Sequence, residues 1–437
     1  MPNANSSATA SRPSWSPGRI ALWTAALLAS GLLFGPSFIS SFRPPTGMAS
    51  DFLQEWLSAK DYWAVRPIYS PLDESLYVHT GERADRPLLA WNAHPPVSVL
   101  FVLPFGWMDY PTAHLVWNLL TFPLFLLSAV VVVRELRFPL RPLSLLPTIA
   151  LTLACFPLYY QVSQGQWNCA LAFLVVASWL ADRRGYTGWA GFALGLAAAI
   201  KFFPAFCFLY FACTGRFRAI AVGGITVVLL HAVAYVAFGE AALSTYIRDV
   251  IPSVANYRNQ WQNLSLEGFG SRLFGAPGNE KIVALLDFPE LTPLVVLALR
   301  VLLVAVVGRI CWYSRGCSNR DRAFAITAVA MLLASPVTWS HYLLLATLPL
   351  AFAWMRLPAG PIRCFFSFAM VIFWLPNTYL VSFAVGKPQA ELMMYGQHNP
   401  LPPIVNLTVV SLPFYALLTL FALIWYNPGE PDSPKQP

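Results

Sequence analysis

The chain has 437 residues, of which 57% are hydrophobic and only 11% are Asp, Glu, Lys or Arg, whereas soluble domains average about 25% charged residues. Charge-free runs such as 20–42 and 142–181 indicate that the lipid bilayer is the main solvent, which excludes a soluble enzyme, a disordered chain and a nucleic-acid-binding protein. The net charge of +8 comes mostly from Lys and Arg in short gaps between apolar runs, a pattern that reports membrane topology rather than a polyanionic partner.

The apolar runs predict an all-α integral membrane protein. We expect disordered tails at 1–19 and 427–437 and a single membrane domain, 20–426, between them. The run 20–42 is longer than a signal-peptide core of roughly 7–15 residues, so we expect it to remain as a membrane anchor. By the criterion of about 20 apolar residues per span, the domain is predicted to hold about 11–13 membrane helices. The predicted segments are 20–42, 95–108, 112–133, 143–160, 167–181, 188–213, 218–238, 291–313, 323–340, 342–355, 362–380 and 403–426.

Lys and Arg gather in a few gaps, and the positive-inside rule predicts that these gaps are cytoplasmic. The gaps are 182–188, 214–218, 309–322 and 355–363. Two large loops, 43–94 and 239–290, are then predicted to face outward from the cell membrane. Both ends of 188–213 are basic, which simple alternation of full spans does not allow. We therefore expect one segment that does not cross fully, either 95–108 or 188–213, where Lys201 and Pro204 would divide a re-entrant pair.

Acidic residues supply the first candidates for catalysis. All 20 Asp and Glu lie outside the predicted spans, which argues against an ion-coupled transporter, because such proteins usually carry intramembrane carboxylates. Asp51 comes directly after the first span, and Glu55 follows one helical turn later, so both are expected to point the same way. A carboxylate at the membrane surface suits a general base acting on a hydroxyl group. A helix N-cap is the alternative for Asp51.

Further polar candidates lie beside the apolar runs. His94 precedes two prolines, which keep it extended and turned toward the first loop, although simple helix-entry chemistry is an alternative. Gln166 and Asn168 interrupt a charge-free stretch, where amides bind a polar ligand or complete a tight turn. Lys201 ends a largely apolar run, so its ammonium either faces a polar cavity or snorkels to the interface.

The later part of the chain adds two arginines and a histidine. Arg272 and Arg258 lie in the second loop and are candidates for binding an anionic ligand, with pairing to nearby acids as the alternative. His341 lies at a predicted outward span end, where it would donate to a substrate or assist proton transfer, or would be structural. Arg300 lies inside an apolar span, and the sequence predicts no role for it. The seven cysteines form no C-x-x-C pair, so no metal site is predicted.

Several short motifs, taken in their order, resemble the GT-C superfamily of glycosyltransferases and, within it, glycosyltransferase family 87. The resemblance runs from about Asp51 to about Pro349. The motifs are Asp51 after the first span, His94-Pro95-Pro96, Gly165-Gln166-Trp167-Asn168, the segment 190–204 with Lys201, Asn263-Leu264-Ser265-Leu266, and 335–342 with His341. The family often has Asn-Gln-Ser-Leu at the fifth motif, so a glutamine contact is either missing here or supplied by Gln260 or Gln262. The acidic pair of some relatives is also absent.

The resemblance implies transfer of a sugar with inversion from a polyprenyl-phosphate donor on the outer face of the membrane. By it, Asp51 would be the catalytic base, His341 a second catalytic residue, and Gln166, Asn168, Asn263 and Ser265 substrate-binding residues, with the two amides of the third motif binding sugar hydroxyls. Beside a phosphodiester donor, Lys201 suits the cation that stabilises the leaving phosphate, and Arg272 and Arg258 are further candidates for the donor phosphate. Mannose is the default sugar, with arabinose or another sugar as the alternative. No divalent metal or other cofactor is expected, and the expected partners are membrane lipids, the lipid-linked sugar and a lipid or glycan acceptor. The competing class is a flippase or transporter of a lipid-linked sugar, which needs no base at Asp51.

Overall fold

The structure is a computed structural model that describes residues 16–45, 50–84, 88–138, 142–276, 283–316, 319–358, 360–386 and 401–426. Of the described residues, 77% are helical and none lies in a strand. The predicted all-α fold is therefore confirmed. Most of the first predicted tail and all of the second lie outside the described residues.

The described residues form twenty α-helices. In chain order they are α1 (Pro17–Ser40), α2 (Phe52–Trp63), α3 (Leu72–Thr80), α4 (Pro96–Val102), α5 (Tyr110–Glu135), α6 (Leu145–Leu153), α7 (Phe156–Gln164), α8 (Asn168–Arg183), α9 (Thr187–Ile200), α10 (Phe208–Cys213), α11 (Phe217–Thr245), α12 (Ile251–Ala255), α13 (Leu266–Phe274), α14 (Leu291–Tyr313), α15 (Arg320–Ala334), α16 (Thr347–Arg356), α17 (Pro361–Trp374), α18 (Asn377–Val385), α19 (Pro403–Leu407) and α20 (Leu412–Tyr426). The segments between these helices include 3-10 helices at Leu103–Trp107, Phe203–Cys207 and Ser340–Ala346.

Five helical segments of the described chain are long and apolar enough to cross a membrane, or up to seven if each of two bent helix pairs counts as one span. The five are α1, α5, Phe217–Ala255, α14 and Pro403–Tyr426. This makes the chain a multi-pass integral membrane protein. The count is smaller than the predicted 11–13 because several predicted segments, such as 167–181 and 323–340, form helices of only 16 and 15 residues. These helices, α8 and α15, are largely buried inside the bundle, where a full membrane-spanning length is not required.

The chain divides into two compact units. One unit contains α1 and α6, which pack against each other. The other contains all the remaining described helices, and with them the main hydrophobic core. The first predicted outward loop, 43–94, is not open chain, because it contains α2 and α3. All the candidate site residues belong to this second unit.

Lys201 lies at the tip of a helical hairpin. Helix α9 ends at Lys201, whose backbone is extended (φ −140°, ψ 136°), and the chain returns through Phe203–Cys207 and α10. The two ends of the hairpin meet, because Arg216 forms an ion pair with Asp182 and the Tyr210 hydroxyl donates to Asp182 Oδ2 at 2.7 Å. The predicted division of 188–213 at Lys201 is confirmed, and the two basic ends are compatible because they lie side by side.

The basic gaps converge at the end of the bundle where this hairpin begins. Arg183 forms an ion pair with Asp321, and Arg315 Nε donates to the carbonyl oxygen of Cys213 at 2.6 Å. These contacts and the Arg216–Asp182 pair bring together three of the four gaps that were predicted to share one side of the membrane, namely 182–188, 214–218 and 309–322. Lys201 lies at the opposite end of α9.

Glycines allow α9 to pack closely on α11. A Cβ atom added at Gly191 would lie 2.1 Å from the carbonyl oxygen of Ala219, and one added at Gly195 would lie 2.6 Å from the carbonyl oxygen of Gly223. Small residues spaced in this way let two helix backbones approach inside a membrane. The contact fixes the helix whose end carries Lys201.

We expect Gly191→Ala to lower the thermal stability of the protein in detergent, by about 1–3 kcal/mol in the free energy of unfolding, because the added methyl group collides with backbone. Gly224→Ala on α11 is the matched control, since a Cβ atom there meets nothing within 4 Å and alanine favours a helix over glycine. Thermal unfolding of the purified variants measures the difference. Equal melting temperatures for the two variants would contradict the close packing.

Candidate active site

A cavity of about 370 Å³ lies at the Lys201 end of α9. Its wall comes from α2, the segment before α4, the α7–α8 region, the hairpin tip, the chain around 246–262 and the segment 335–342. The charged, amide and histidine side chains in this wall are Asp51, Gln54, His94, Gln166, Lys201, Gln260, Gln262 and His341. The sequence candidates Asp51, His94, Gln166, Lys201 and His341 are thus brought to one cavity.

The side-chain amide of Gln166 links Asp51 to Lys201. Gln166 Nε2 donates to Asp51 Oδ2 at 2.6 Å, and Lys201 Nζ donates to Gln166 Oε1 at 2.7 Å. The amide has one satisfactory orientation, because a carboxylate only accepts hydrogen bonds and an ammonium only donates them. Asp51 precedes α2, but its side chain makes no capping hydrogen bond. The N-cap alternative for Asp51 is therefore not what the structure shows.

The turn between α7 and α8 positions Gln166. Gly165 has φ +60°, and a Cβ atom there would lie 2.6 Å from Cβ of Phe52, so glycine is required for both conformation and space. Gln161 Nε2 donates to the carbonyl oxygen of Gln166, and Asn168 Nδ2 donates to Gln161 Oε1 at 3.1 Å. Asn168 is buried and does not line the cavity. It supports this turn, which corrects the expectation that it binds a sugar.

Lys201 does not snorkel. The residue is 5% exposed, and its Nζ atom lies 3.5 Å from the hydroxyl of Tyr342 and 5.0 Å from the centre of the Tyr342 ring, which adds a cation–π attraction. An ammonium has three N–H donors. The short hydrogen bond to Gln166 uses one of these donors, and the long contact with the Tyr342 hydroxyl is a weak hydrogen bond from a second. The geometry therefore leaves donor capacity toward the cavity.

His341 is 2% exposed and lies between two tyrosines, with ring centres 5.3 Å from Tyr160 and 5.0 Å from Tyr342. Neither ring nitrogen has a hydrogen-bond partner among the described residues. Burial, together with the positive charge of Lys201, lowers the pKa of His341 well below its usual value. The ring is then neutral at pH 7, with one donor and one acceptor. Such unpaired buried atoms are rare, and a ligand in the cavity would satisfy them.

Glu55 does not share the position of Asp51. It is 1% exposed and does not line the cavity. Its Oε1 atom lies 2.5 Å from His94 Nδ1 and accepts from Trp167 Nε1 at 2.9 Å, and its Oε2 atom accepts from Asn92 Nδ2 at 3.2 Å. The expectation that Asp51 and Glu55 point the same way is wrong, because these donors hold Glu55 behind the wall. Glu55 reaches the cavity only through His94.

Asn263 joins the second loop to the cavity wall. Its Nδ2 atom donates to the carbonyl oxygens of Arg258 (2.7 Å) and Pro336 (2.9 Å), and its Oδ1 atom accepts from the backbone N–H groups of Ser265 (3.0 Å) and Thr338 (2.9 Å). All four hydrogen bonds of the amide are made within the protein. Ser265 Oγ caps α13. Both residues hold the wall in place and do not line the cavity, which corrects their expected role in binding substrate.

Arg272 lies outside the cavity wall. It is fully buried and donates to Ser411 Oγ (2.9 Å) and to the carbonyl oxygens of Trp261 (3.1 Å) and Asn263 (3.0 Å). Burial lowers the pKa of Arg272 to about 10, so the side chain stays charged. Through Nε and Nη1 the guanidinium braces the second loop, and because it lies outside the cavity wall it is not placed to bind a donor phosphate there.

The remaining arginines are also away from the cavity. Arg258 is exposed and is absent from the cavity wall. Arg300 Nη2 lies 2.7 Å from Glu267 Oε2, and Arg300 Nε donates to the carbonyl oxygen of Ala334 at 3.0 Å. Lys201 is therefore the one Lys or Arg among the described residues that line the cavity.

Sequence reasoning missed several cavity residues. Tyr160, Tyr342 and Trp339 line the wall, and Gln164 Oε1 accepts from the backbone N–H of Asp51 at 3.2 Å. Tyr342 directly follows His341, which is a usable signal, but Tyr160 lies in an apolar run that gives none. Gln260 and Gln262, named as possible replacements for the family glutamine, both line the cavity.

Metal ligands show no clustering in the part of the chain that the structure describes, where no three His, Cys, Asp or Glu side chains are grouped so as to hold an ion. The expectation that no divalent metal takes part stays a prediction.

Comparison with known proteins identifies a family and one relative. The model of Glycosyltransferase family 87 matches residues 92–336, more than half of the chain. A Mycobacterium tuberculosis protein, named a polyprenol-phosphate-mannose-dependent alpha-(1-2)-phosphatidylinositol mannoside mannosyltransferase, is 27% identical over 209 residues, which are 44% of this chain and 46% of the relative. The chain thus matches about half the length of that relative. No solved structure matches the chain. His94, Gln166 and Lys201 lie inside the family match, whereas Asp51 and His341 lie outside it.

Proposed function

Since the chain belongs to glycosyltransferase family 87 and is a membrane glycosyltransferase, we propose that it transfers a hexose from a polyprenyl-phosphate sugar to a lipid or glycan acceptor with inversion. The name of the mycobacterial relative supports both the donor class and mannose as the sugar. It also makes a mannosylated lipid the first acceptor to test.

The observation that carries this proposal is the Asp51–Gln166–Lys201 arrangement inside one cavity. Inverting transfer requires a base beside the acceptor hydroxyl and a cation beside the leaving phosphate. A carboxylate and an ammonium separated by one amide supply both. In the proposed step, Asp51 takes the proton as the acceptor oxygen forms a bond to the anomeric carbon. The bond from that carbon to the phosphate oxygen breaks, and its electron pair leaves with the phosphate.

Lys201 and His341 are proposed to stabilise the leaving group. The donor is a phosphodiester with one negative charge, and the departing phosphate monoester gains a second. An ammonium aimed at that oxygen is worth more in the departing state than in the bound donor, which is the condition for accelerating the reaction. His341, neutral and without a protein partner, is placed to donate to the phosphate or to a sugar hydroxyl.

The active site is proposed to face the non-cytoplasmic side of the cell membrane. The cavity lies at the end of α9 that is remote from the converging basic gaps, and such gaps are typically cytoplasmic.

Asp51→Asn should reduce transfer by about 10²–10⁴-fold, the usual contribution of a general base. The amide keeps the shape of the side chain and accepts the Gln166 hydrogen bond, so fold and donor binding should survive. Asp51→Glu should retain little activity because one methylene displaces the base. The assay follows transfer from polyprenyl-phosphate mannose to a mannosylated lipid by purified protein, and Asp73→Asn, an exposed acid on α3, is the control. Wild-type transfer by Asp51→Asn would move the base to another cavity residue, with His341 next in line. If the purified wild-type protein transferred no sugar, the transporter hypothesis would take precedence.

Lys201→Met should lower turnover by about 10²–10³-fold, on the scale of removing one donor to a developing oxyanion. The apolar side chain fills a similar volume, so the hairpin should still fold. Lys60→Met, on α2 and outside the cavity, should keep normal turnover. Unchanged turnover in folded Lys201→Met protein would show that the ammonium does not act on the leaving group.

The topology is tested with single cysteines at exposed positions. Asp73→Cys and Asp287→Cys, in the two predicted outward loops, should react with an impermeant maleimide added to intact cells. Tyr186→Cys, within the basic gap 182–188, should react only after permeabilisation. The parent protein gives the background from the natural cysteines. Opposite labelling of the two loop positions would contradict a site shared by both loops.

A further inference from the structure

A buried carboxylate lies directly behind the cavity wall. Glu55 accepts from Trp167, Asn92 and Ser98, at distances of 2.9, 3.2 and 3.3 Å, and it lies 2.5 Å from His94 Nδ1. Burial raises the pKa of Glu55, but His94 and the hydrogen bonds from Trp167 and Asn92 together lower it below its usual value. Glu55 is therefore an ionised carboxylate, which accepts hydrogen bonds and donates none.

This carboxylate fixes the tautomer of His94. Because Glu55 only accepts, His94 Nδ1 must carry a proton and donate it. Burial and the positive charge of Lys201 lower the pKa of His94 more than Glu55 and Asp51 raise it, so the ring is neutral at pH 7. The lone pair is then on Nε2. No described residue is hydrogen bonded to Nε2, and His94 lines the cavity.

The backbone of His94 is held as firmly as its ring. The Tyr69 hydroxyl donates to the His94 carbonyl oxygen at 2.7 Å, and the His94 N–H donates to Asn92 Oδ1 at 3.0 Å. Pro95 and Pro96 follow, which restricts the backbone further. His94 is thus held by one contact of its ring and two hydrogen bonds of its backbone, and its remaining acceptor faces the cavity. Such a residue is suited to recognise a hydrogen-bond donor at a defined position.

We propose that His94 Nε2 accepts a hydrogen bond from one hexose hydroxyl, and that Glu55 is a positioning residue that keeps this acceptor available. The inference rests on the proposed function, and it assigns the pair to sugar recognition rather than to proton removal. A neutral acceptor suits this task beside Lys201, since an imidazolium would repel the ammonium and offer no lone pair. The hydroxyl belongs to the donor hexose or to a sugar of the acceptor.

Two substitutions of His94 distinguish a role in binding a sugar hydroxyl from a purely structural role. The side-chain oxygen of Gln reaches the position of Nε2, so His94→Gln keeps an acceptor in the cavity but loses the bond to Glu55. The side-chain nitrogen of Asn occupies the position of Nδ1, so His94→Asn keeps the bond to Glu55 but loses the cavity acceptor. A hydroxyl-binding role requires better transfer by His94→Gln, whereas a purely structural role requires better transfer by His94→Asn.

The substrates for this test are monodeoxy compounds. One arm uses polyprenyl-phosphate mannose lacking one hydroxyl at a time. The other uses an alkyl α-mannoside acceptor lacking one hydroxyl at a time, but always keeping the hydroxyl that attacks the donor, because a compound without it cannot react. We expect the wild type to lose about tenfold in kcat/KM on one of these compounds, as for one neutral hydrogen bond. The arm in which the loss occurs identifies the source of the hydroxyl. His94→Asn should transfer the normal sugar about tenfold more slowly and should no longer distinguish it from that compound, while His94→Gln should still distinguish them.

The outcomes separate the inference from the proposed function. If the wild type transfers no mannose to either a mannosylated lipid or the alkyl mannoside, the proposed function fails and the inference fails with it. If the wild type transfers mannose but treats every monodeoxy compound like the parent, the inference alone is overturned, whether or not the variants fold. It is also overturned if His94→Asn keeps the discrimination of the wild type.

Discussion

The burial of one ammonium group in an apolar bundle is the constraint around which this site is organised. An uncompensated charge at such a position costs several kcal/mol, and Lys201 is compensated by the Gln166 carbonyl oxygen and the Tyr342 ring. Asp51 accepts a hydrogen bond from the Nε2 atom of the same amide. Had Asp51 and Lys201 formed a direct ion pair, each would have used its best hydrogen bond on the other. The intervening amide stabilises both charges and leaves lone pairs on Asp51 and N–H groups on Lys201 for a substrate.

The fold brings a lysine to this position without requiring the segment to cross the bundle. The chain leaves the basic end through α9, turns at Lys201 and returns through α10, and the Arg216–Asp182 pair closes the hairpin at its base. Helix α9 has little side-chain volume on the face toward α11, where Gly191 and Gly195 contact backbone. These backbone contacts hold the short helix α9 in a fixed position. A 14-residue apolar segment alone would not be held in this way. Stability of the α9–α11 contact and position of the ammonium are therefore linked.

The sequence indicated cavity residues correctly where placing that residue type in or beside an apolar run, or before two prolines, carries a free-energy cost. A lysine inside an apolar run, a histidine before two prolines and an acid after the first span all line the cavity, and the break at Lys201 was expected from the basic charges at both ends of its segment. Prediction from the sequence failed for Asn263 and Arg272, which were expected to bind substrate but bond to distant parts of the chain. Asn263 bonds to Pro336, and Arg272 bonds to Ser411, across 73 and 139 residues. An amide that braces two loops and an amide that binds a sugar have the same local sequence signal, so only the tertiary contacts distinguish them.

The two carboxylates at the start of α2 show how surroundings, rather than spacing, divide the chemical roles. Residues four apart tend to share a helix face, but that rule does not fix which of them reaches a cavity. Glu55 accepts from Trp167, Asn92 and Ser98 and is paired with His94, so its lone pairs are occupied and its basicity is reduced. The side chain of Asp51 has one hydrogen bond among the described residues, from Gln166, and it lines the cavity. A base must have a free lone pair within reach of the proton that it removes. Only Asp51 meets both conditions, and the saturation of Glu55 is what makes the neighbouring His94 an acceptor.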